Sequence, residues 1–181
     1  MLDDYGIAAT LPAGRLTLRP PRLSDAGMIR LYLSDPRVAR MLTAIPHPYP
    51  PGAAEALIER ALAGKRSGPL YVMDGEASGG DAVMGLVFVN RTAEPDVFRL
   101  GCAVGPPFWN TGVATEALQT VARALFAAGA RALTATVFQD SPVSARLMTR
   151  AGFAYVGDGE EFCVARGALA PVWRYRQEAP A

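Results

Sequence analysis

Apolar and polar residues first alternate in period two at residues 15–19, Arg-Leu-Thr-Leu-Arg, before Pro20-Pro21 ends the run, which predicts a strand. Ser24 and Asp25 then supply a start signal for a helix through about residue 34. Asp35-Pro36, a capping residue followed by proline at the first helical position, predicts a second, short helix. Ile45-Pro-His-Pro-Tyr-Pro-Pro51 cannot hold a helix or a ladder and reads as an ordered loop. Helical spacing returns over residues 52–63, with Ala56, Leu57, Ile58 and Leu62 apolar.

From residue 69 the period is that of strands, at 70–73, 83–90 and 97–104. The glycine-rich turn 74–81 and the turn 91–96 between them predict an antiparallel meander. Residues 113–128 are helical, with Ala117, Leu118, Val121 and Leu125 on one stripe and Gly129 as the stop. A strand over 133–138 follows. Ser141-Pro142 starts a helix running to residue 151, closed by Gly152, and short strands are expected at 153–156, 161–164 and 172–176. The order of elements predicts an α+β fold on a mixed sheet, as one domain over residues 1–181.

Composition narrows the function. A chain of 181 residues that is 50% hydrophobic can bury one substantial core but not two. Its 18 basic and 17 acidic side chains leave a net charge of +1, and the basic ones form no runs, so a nucleic-acid partner is not expected. Cys102 and Cys163 match no paired metal spacing and His47 is the only histidine, so no metal site is expected and both cysteines read as buried thiols. Residues 1–10 carry Asp3 and Asp4 without a basic flank or a long apolar stretch, unlike a signal peptide, and no segment approaches the roughly 20 apolar residues of a membrane span. A cytoplasmic protein with no membrane association follows as the expectation. The oligomeric state is not legible, and a homodimer is left open.

The stretch with chemistry in it is Arg99-Leu-Gly-Cys-Ala-Val-Gly-Pro-Pro-Phe-Trp-Asn-Thr-Gly-Val-Ala-Thr-Glu-Ala-Leu118: strand, tight loop and helix start in succession. Backbone N–H groups in a first helical turn have no internal acceptor, and the helix dipole also favours an anion there. Gly112 permits the turn, and Ala114 and Thr115 keep its rim small. The implied ligand is of phosphate size, although loops of this kind often do nothing but turn the chain.

Phe108-Trp109-Asn-Thr-Gly112-Val-Ala114-Thr-Glu116-Ala117 resembles the pyrophosphate loop of the GCN5-related N-acetyltransferase (GNAT) superfamily, in particular the branch of ribosomal-protein N-terminal acetyltransferases. Ser141-Pro-Val-Ser144 followed by Ala151-Gly152-Phe153 is similar to the family's Asn-x-x-Ser helix with its closing Gly-Phe pair. Arg15-Leu-Thr-Leu-Arg-Pro20 with Asp25 and the Pro46-His-Pro-Tyr49 loop are also similar to that branch, so the resemblance spans nearly the whole chain. It implies a mainly antiparallel sheet flanked by helices and splayed between the strands near 100–104 and 133–138. Acetyl-CoA would be the co-substrate, with its pantetheine beside Cys102, Ala103 and Val104. Its pyrophosphate would lie among Asn110, Thr111, Gly112, Val113, Ala114 and Thr115, and Trp109 and Ser141 would complete the cofactor site. A free N–H on the splayed strand would face the oxyanion. The acceptor would be a primary amine, on a peptide N-terminus or a small molecule.

Several positions depart from the family pattern. Asn110 replaces a usual glycine, Ser141 a usual asparagine, Arg99 and Cys102 a frequent glutamate and tyrosine, and Met148 a tyrosine that donates a proton in many relatives. The familiar acid and base are therefore missing. Ser144 remains as the candidate partner of the leaving thiolate, with local capping as its other reading. His47, the only side chain with a pKa near neutrality, is the candidate proton carrier, with a structural role between prolines as the alternative. Glu116 reads as a complement to the helix dipole, and Phe108 and Trp109 as packing for the loop. Gly64-Lys65 fails as a phosphate-binding loop because Glu59 and Arg66 stand at its other key positions, and no serine-hydrolase elbow is present. A non-catalytic acyl-CoA sensor is the rival from another class.

Overall fold

The computed structural model describes residues 6–180 and is organised by one eight-stranded sheet in the order β1-β2-β3-β4-β5-β6-β8-β7. Its strands are β1 (Leu11–Ala13), β2 (Leu16–Arg19), β3 (Leu70–Asp74), β4 (Gly85–Arg91), β5 (Val97–Val104), β6 (Ala132–Phe138), β7 (Ala154–Cys163) and β8 (Ala168–Glu178). Helices α1 (Ala26–Leu33), α2 (Pro36–Ala39) and α3 (Ala53–Leu62) fill the first long connection, and α4 (Val113–Ala127) and α5 (Pro142–Arg150) the later ones. Neighbouring strands run antiparallel except β5 and β6. Among the described residues no helix is long and apolar enough to cross a membrane. The reading of the extreme N-terminus rests partly on Asp3 and Asp4, which lie outside the described residues.

Two apolar clusters hold the layers together. The stripe Ala117, Leu118, Val121 and Leu125 of α4 packs with Leu16, Leu18, Val87, Leu100 and Leu133 of the sheet, while Ile29, Leu33, Leu57 and Ile58 of α1 and α3 pack with Leu70, Val72 and Leu86 in the other. Burying each such Leu or Ile is worth about 1.5–3 kcal/mol, so the helices are held mainly by tertiary packing. Arg19 fixes the N-terminal hairpin to this frame. Its guanidinium, 5% exposed, bonds both Asp25 oxygens, Asp74 and the Ala82 carbonyl.

The β5–β6 pairing creates the feature that matters for function. Only Val97 with Ala132, Phe98 with Leu133 and Arg99 with Thr134 are in register, after which the strands part. β4 pairs with β5 up to Val104, so residues 100–104 have a ladder partner on one side only. The expected splay is present.

Four expectations are corrected. The three short C-terminal strands are two long ones, because Gly157, at φ +145°, sits in a bulge between Tyr155 and residue 157 and lets β7 continue. A strand at Leu11–Ala13 precedes the first expected one, too short and interrupted by Pro12 to show alternation. The first helix opens as a 3₁₀ turn over Leu23–Asp25 and becomes α-helical at Ala26. Cys163 is buried, but Cys102 is only partly so, because its strand borders a cavity. Met148 is 4% exposed in the core.

Candidate functional site

The loop between β5 and α4 is built by two residues with positive φ. Asn110 lies at φ +61° and Gly112, the residue capping α4, at φ +87°. Asparagine and glycine are the residues that accept such angles at least cost. No side chain caps α4, and its first internal backbone bond runs from Glu116 N–H to the Gly112 carbonyl at 3.1 Å. The N–H groups of Val113, Ala114 and Thr115 precede that bond and have no intrahelical acceptor.

They open into a cavity of about 600 Å³. Cys102, Ala103 and Val104 of β5, Trp109, Asn110, Gly112, Val113, Ala114 and Thr115 of the loop and helix start, and Ser141 and Ser144 of α5 all line it. Thr111 does not: its hydroxyl turns back to the Phe108 carbonyl at 2.6 Å, and its own carbonyl accepts from the Arg15 guanidinium. His47 does not either. It is exposed in the proline loop, on a cis bond to Pro48.

Sequence reasoning missed the cations. Arg37, Arg146 and Arg150 line the cavity, and among the described residues no Asp or Glu does. Arg146 and Arg150 are spaced i, i+4 on α5, a signal that could have been read once the helix was placed. Arg37 lies 5.1 Å over the Trp109 ring and pairs with Asp35, which also caps α2. The Trp109 indole donates to the Val104 carbonyl at 2.8 Å, so the last acceptor of the splayed strand is already satisfied by a side chain.

Ser141 holds the capping position of α5 but makes no capping hydrogen bond; its Oγ lies 2.8 Å from Ser144 Oγ. When one of two paired hydroxyls donates to the other, the acceptor keeps its own proton for a third group. The pair can therefore present one free O–H to a ligand. Although Cys102 borders the cavity, the protein packed around its sulfur desolvates the thiol and pushes it up to about 12, which keeps it neutral and unreactive at ordinary pH. Among the described residues, neither this cavity nor a second one across the splay is lined by an Asp, Glu, His, Tyr or Lys. Among the described residues no group of side chains could hold a metal ion.

Residues 15–154 match the acetyltransferase (GNAT) domain family. Among solved structures, a GNAT-family acetyltransferase from Bacillus anthracis superposes with a TM-score of 0.80 at 17% identity, over 94% of this chain and 98% of that one. The ribosomal-protein-S5-alanine acetyltransferase of Vibrio fischeri gives 0.74 at 17% identity, covering 95% and 97%. The spermidine N-acetyltransferase of Vibrio cholerae, solved with CoA and spermine, gives 0.76 at 17% identity, covering 91% and 96%. At these identities the likeness is one of fold. No curated protein matches the chain in sequence.

Proposed function

The chain belongs to the acetyltransferase (GNAT) domain family, and from that premise we propose that it transfers acetyl from acetyl-CoA to a primary amine in a ternary complex, as a single domain working in the cytoplasm. One observation carries the co-substrate assignment: a cavity that joins an uncapped helix start to an unpaired strand edge is lined by three arginines and no carboxylate. Phosphates suit the first end and amides the second. The N–H groups of residues 113–115 would hold the pyrophosphate, with Arg146 and Arg150 as counter-charges. Pantetheine amides would bond the open edge at residues 102–104 apart from the Val104 carbonyl, which Trp109 already meets, satisfying groups that are costly to leave buried and unmet.

The chemistry then needs little from side chains. The amine nitrogen attacks the thioester carbonyl, the oxyanion is met by an N–H of the open strand, and the tetrahedral intermediate collapses with loss of the CoA thiolate. Ser144, paired with Ser141, would donate to the departing sulfur. Because neither cavity is lined by a carboxylate or histidine, the amine must lose its proton to water or to a base brought by the acceptor. We assign the acceptor as an α-amine, such as a peptide N-terminus, because that group is partly neutral near physiological pH.

Calorimetry with Gly112→Asp tests the loop. The variant adds a side chain at a positive φ and a negative charge beside the phosphates, so CoA should bind at least tenfold more weakly, about 1.4 kcal/mol. Parent-like binding by a folded variant would show the loop assignment to be wrong. CoA release is then followed across amines and peptides. The bare lining favours a second reading, an acyl-CoA sensor, and binding without turnover of any amine would select it.

A further inference from the structure

Across the splay from the CoA cavity lies a smaller one of about 250 Å³. β5 serves both: residues 99–101 line the small cavity and residues 102–104 the large one, and Met41 and Leu42 border each. A thioester lying along the strand near Gly101 and Cys102 would be approached by its acceptor from the small side. This placement rests on the acetyl-transfer reading above.

The small cavity has a marked charge. Arg60, Arg66 and Arg99 line it, and among the described residues no carboxylate does. Arg66 is braced by Asn90 Oδ1 at 3.3 Å and its guanidinium carbon lies 5.8 Å over the Phe88 ring, so it is held in place across the wall. Arg60 makes no ion pair among the described residues. Arg99 is bridged to Glu161 at 3.1 Å, and Thr136 also donates to Glu161 at 3.2 Å, so one of the three charges is offset from outside the lining. The lining is therefore cationic among the described residues. A polyamine or a plain alkylammonium would meet repulsion there.

We propose that the acceptor is the α-amine of an acidic residue, whose side-chain carboxylate is held by Arg60, Arg66 and Arg99 while its nitrogen reaches the thioester beside Gly101. Guanidinium groups suit a carboxylate because they bind it through paired N–H donors. The same cations disfavour the ammonium form of the incoming amine, which promotes loss of its proton where no side-chain base is present. A free acidic amino acid and a peptide beginning with one both carry this chemistry.

The experiment compares isosteres that differ in charge alone. With acetyl-CoA saturating, kcat/KM is measured for peptides beginning Asp-Ala and Asn-Ala, for free aspartate and asparagine, and for spermidine. In parallel, N-acetyl-Asp-Ala and N-acetyl-Asn-Ala peptides are titrated into the CoA-loaded protein by calorimetry, a reading that needs no turnover. The aspartyl member should win by at least tenfold in both measurements. Which aspartate compound is used better separates amino acid from peptide. Arg60→Gln, at an exposed residue, and Arg99→Gln should each shrink the Asp/Asn ratio by fivefold or more while CoA still binds. Equal use of the isosteres, or a preference for spermidine, would overturn the proposal and leave acetyl transfer standing. Calorimetric preference for the acetyl-Asp peptide with no turnover of any amine would support the anion site and sink the transferase reading instead.

Discussion

The backbone N–H of Arg15 donates to Glu116 Oε1 at 2.8 Å, and the Arg15 side chain bonds Glu116 Oε2 at 3.1 Å. Residues 101 positions apart are thus joined where the β1–β2 turn meets the first turn of α4. The same guanidinium bonds the Thr111 carbonyl and lies 3.3 Å from where a Cβ on Gly112 would sit, so one side chain braces the helix start and the loop before it.

Glu116→Ala should therefore weaken CoA more than it weakens the fold. The Arg15 side chain is half exposed and such pairs contribute about 0–1 kcal/mol to stability, so urea unfolding should move by less than about 1 kcal/mol. Calorimetry should show a loss of affinity of roughly three- to tenfold, equivalent to about 0.6–1.4 kcal/mol. Unaltered affinity would mean that the loop holds its shape without Arg15.

A larger stability effect is expected at Arg19. Removing it leaves Asp25 and Asp74 buried without the cation they share, and breaking a buried pair in this way costs about 3–5 kcal/mol. Burial alone would raise the Asp74 carboxyl, but the Arg19 hydrogen bond, the Glu76 N–H and the guanidinium charge together hold it below its usual range. A carboxyl lowered in the folded state contributes stability that is complete above its unfolded pKa of about 3.9 and is lost as pH falls through the lower folded value. Urea titrations of the parent should be flat above about pH 5 in this respect and decline below about pH 4. Arg19→Ala should abolish the part of that decline due to Asp74, and an identical acid profile in parent and variant would contradict the assignment.

Local chemistry made much of this readable in advance. Period-two alternation marks β5 at its observed limits, and glycines close α4 and α5 where expected, because those signals act within a few residues. Gly157 and Gly159 read locally as breaks, yet β7 continues through them because β8 supplies its ladder partner. The cationic wall of the small cavity was illegible for a different reason. Arg60, Arg66 and Arg99 lie on or beside three different elements, and only the pairing of β4 with β5 and the crossing of α3 bring them to one cavity. Sequence spacing also gave no sign that Ser141 would pair with Ser144 rather than cap its helix.

That pair makes a separable prediction. Ser144→Ala removes the hydroxyl we assign to the departing sulfur but none of the backbone groups assigned to the phosphates. A thiol of pKa about 8.5 can leave unprotonated near neutrality, so the loss in kcat should be roughly ten- to a hundredfold, less than a major proton-transfer role would give. CoA affinity should stay near the parent value. With chemistry rate-limiting, an unchanged kcat would take Ser144 out of the mechanism.

The last prediction concerns which amine reacts. An amine must lose its proton before attacking, and an α-amino group with a pKa of about 7.7–8.0 is neutral in a sizeable fraction at physiological pH. A lysine side chain near 10.4 is neutral in about one molecule per thousand there, a deficit of roughly 4 kcal/mol that a base or desolvation must offset. Among the described residues no carboxylate or histidine lines either cavity, and His47 is exposed outside both. Arg60 and Arg99 do lower the pKa of a nearby ammonium, but guanidinium charges that act on either amine leave the difference between the two in place. Matched peptides with the same acidic neighbour decide the matter: one has a free N-terminus and a blocked lysine, the other an acetylated N-terminus and a free lysine. At about pH 7.5 the first should be acetylated faster by at least tenfold, and its advantage should narrow as pH rises toward the lysine pKa, because deprotonation then ceases to limit the second. Faster acetylation of the lysine peptide near neutrality would overturn the α-amine assignment and require a proton acceptor that reaches the thioester only when the acceptor is bound.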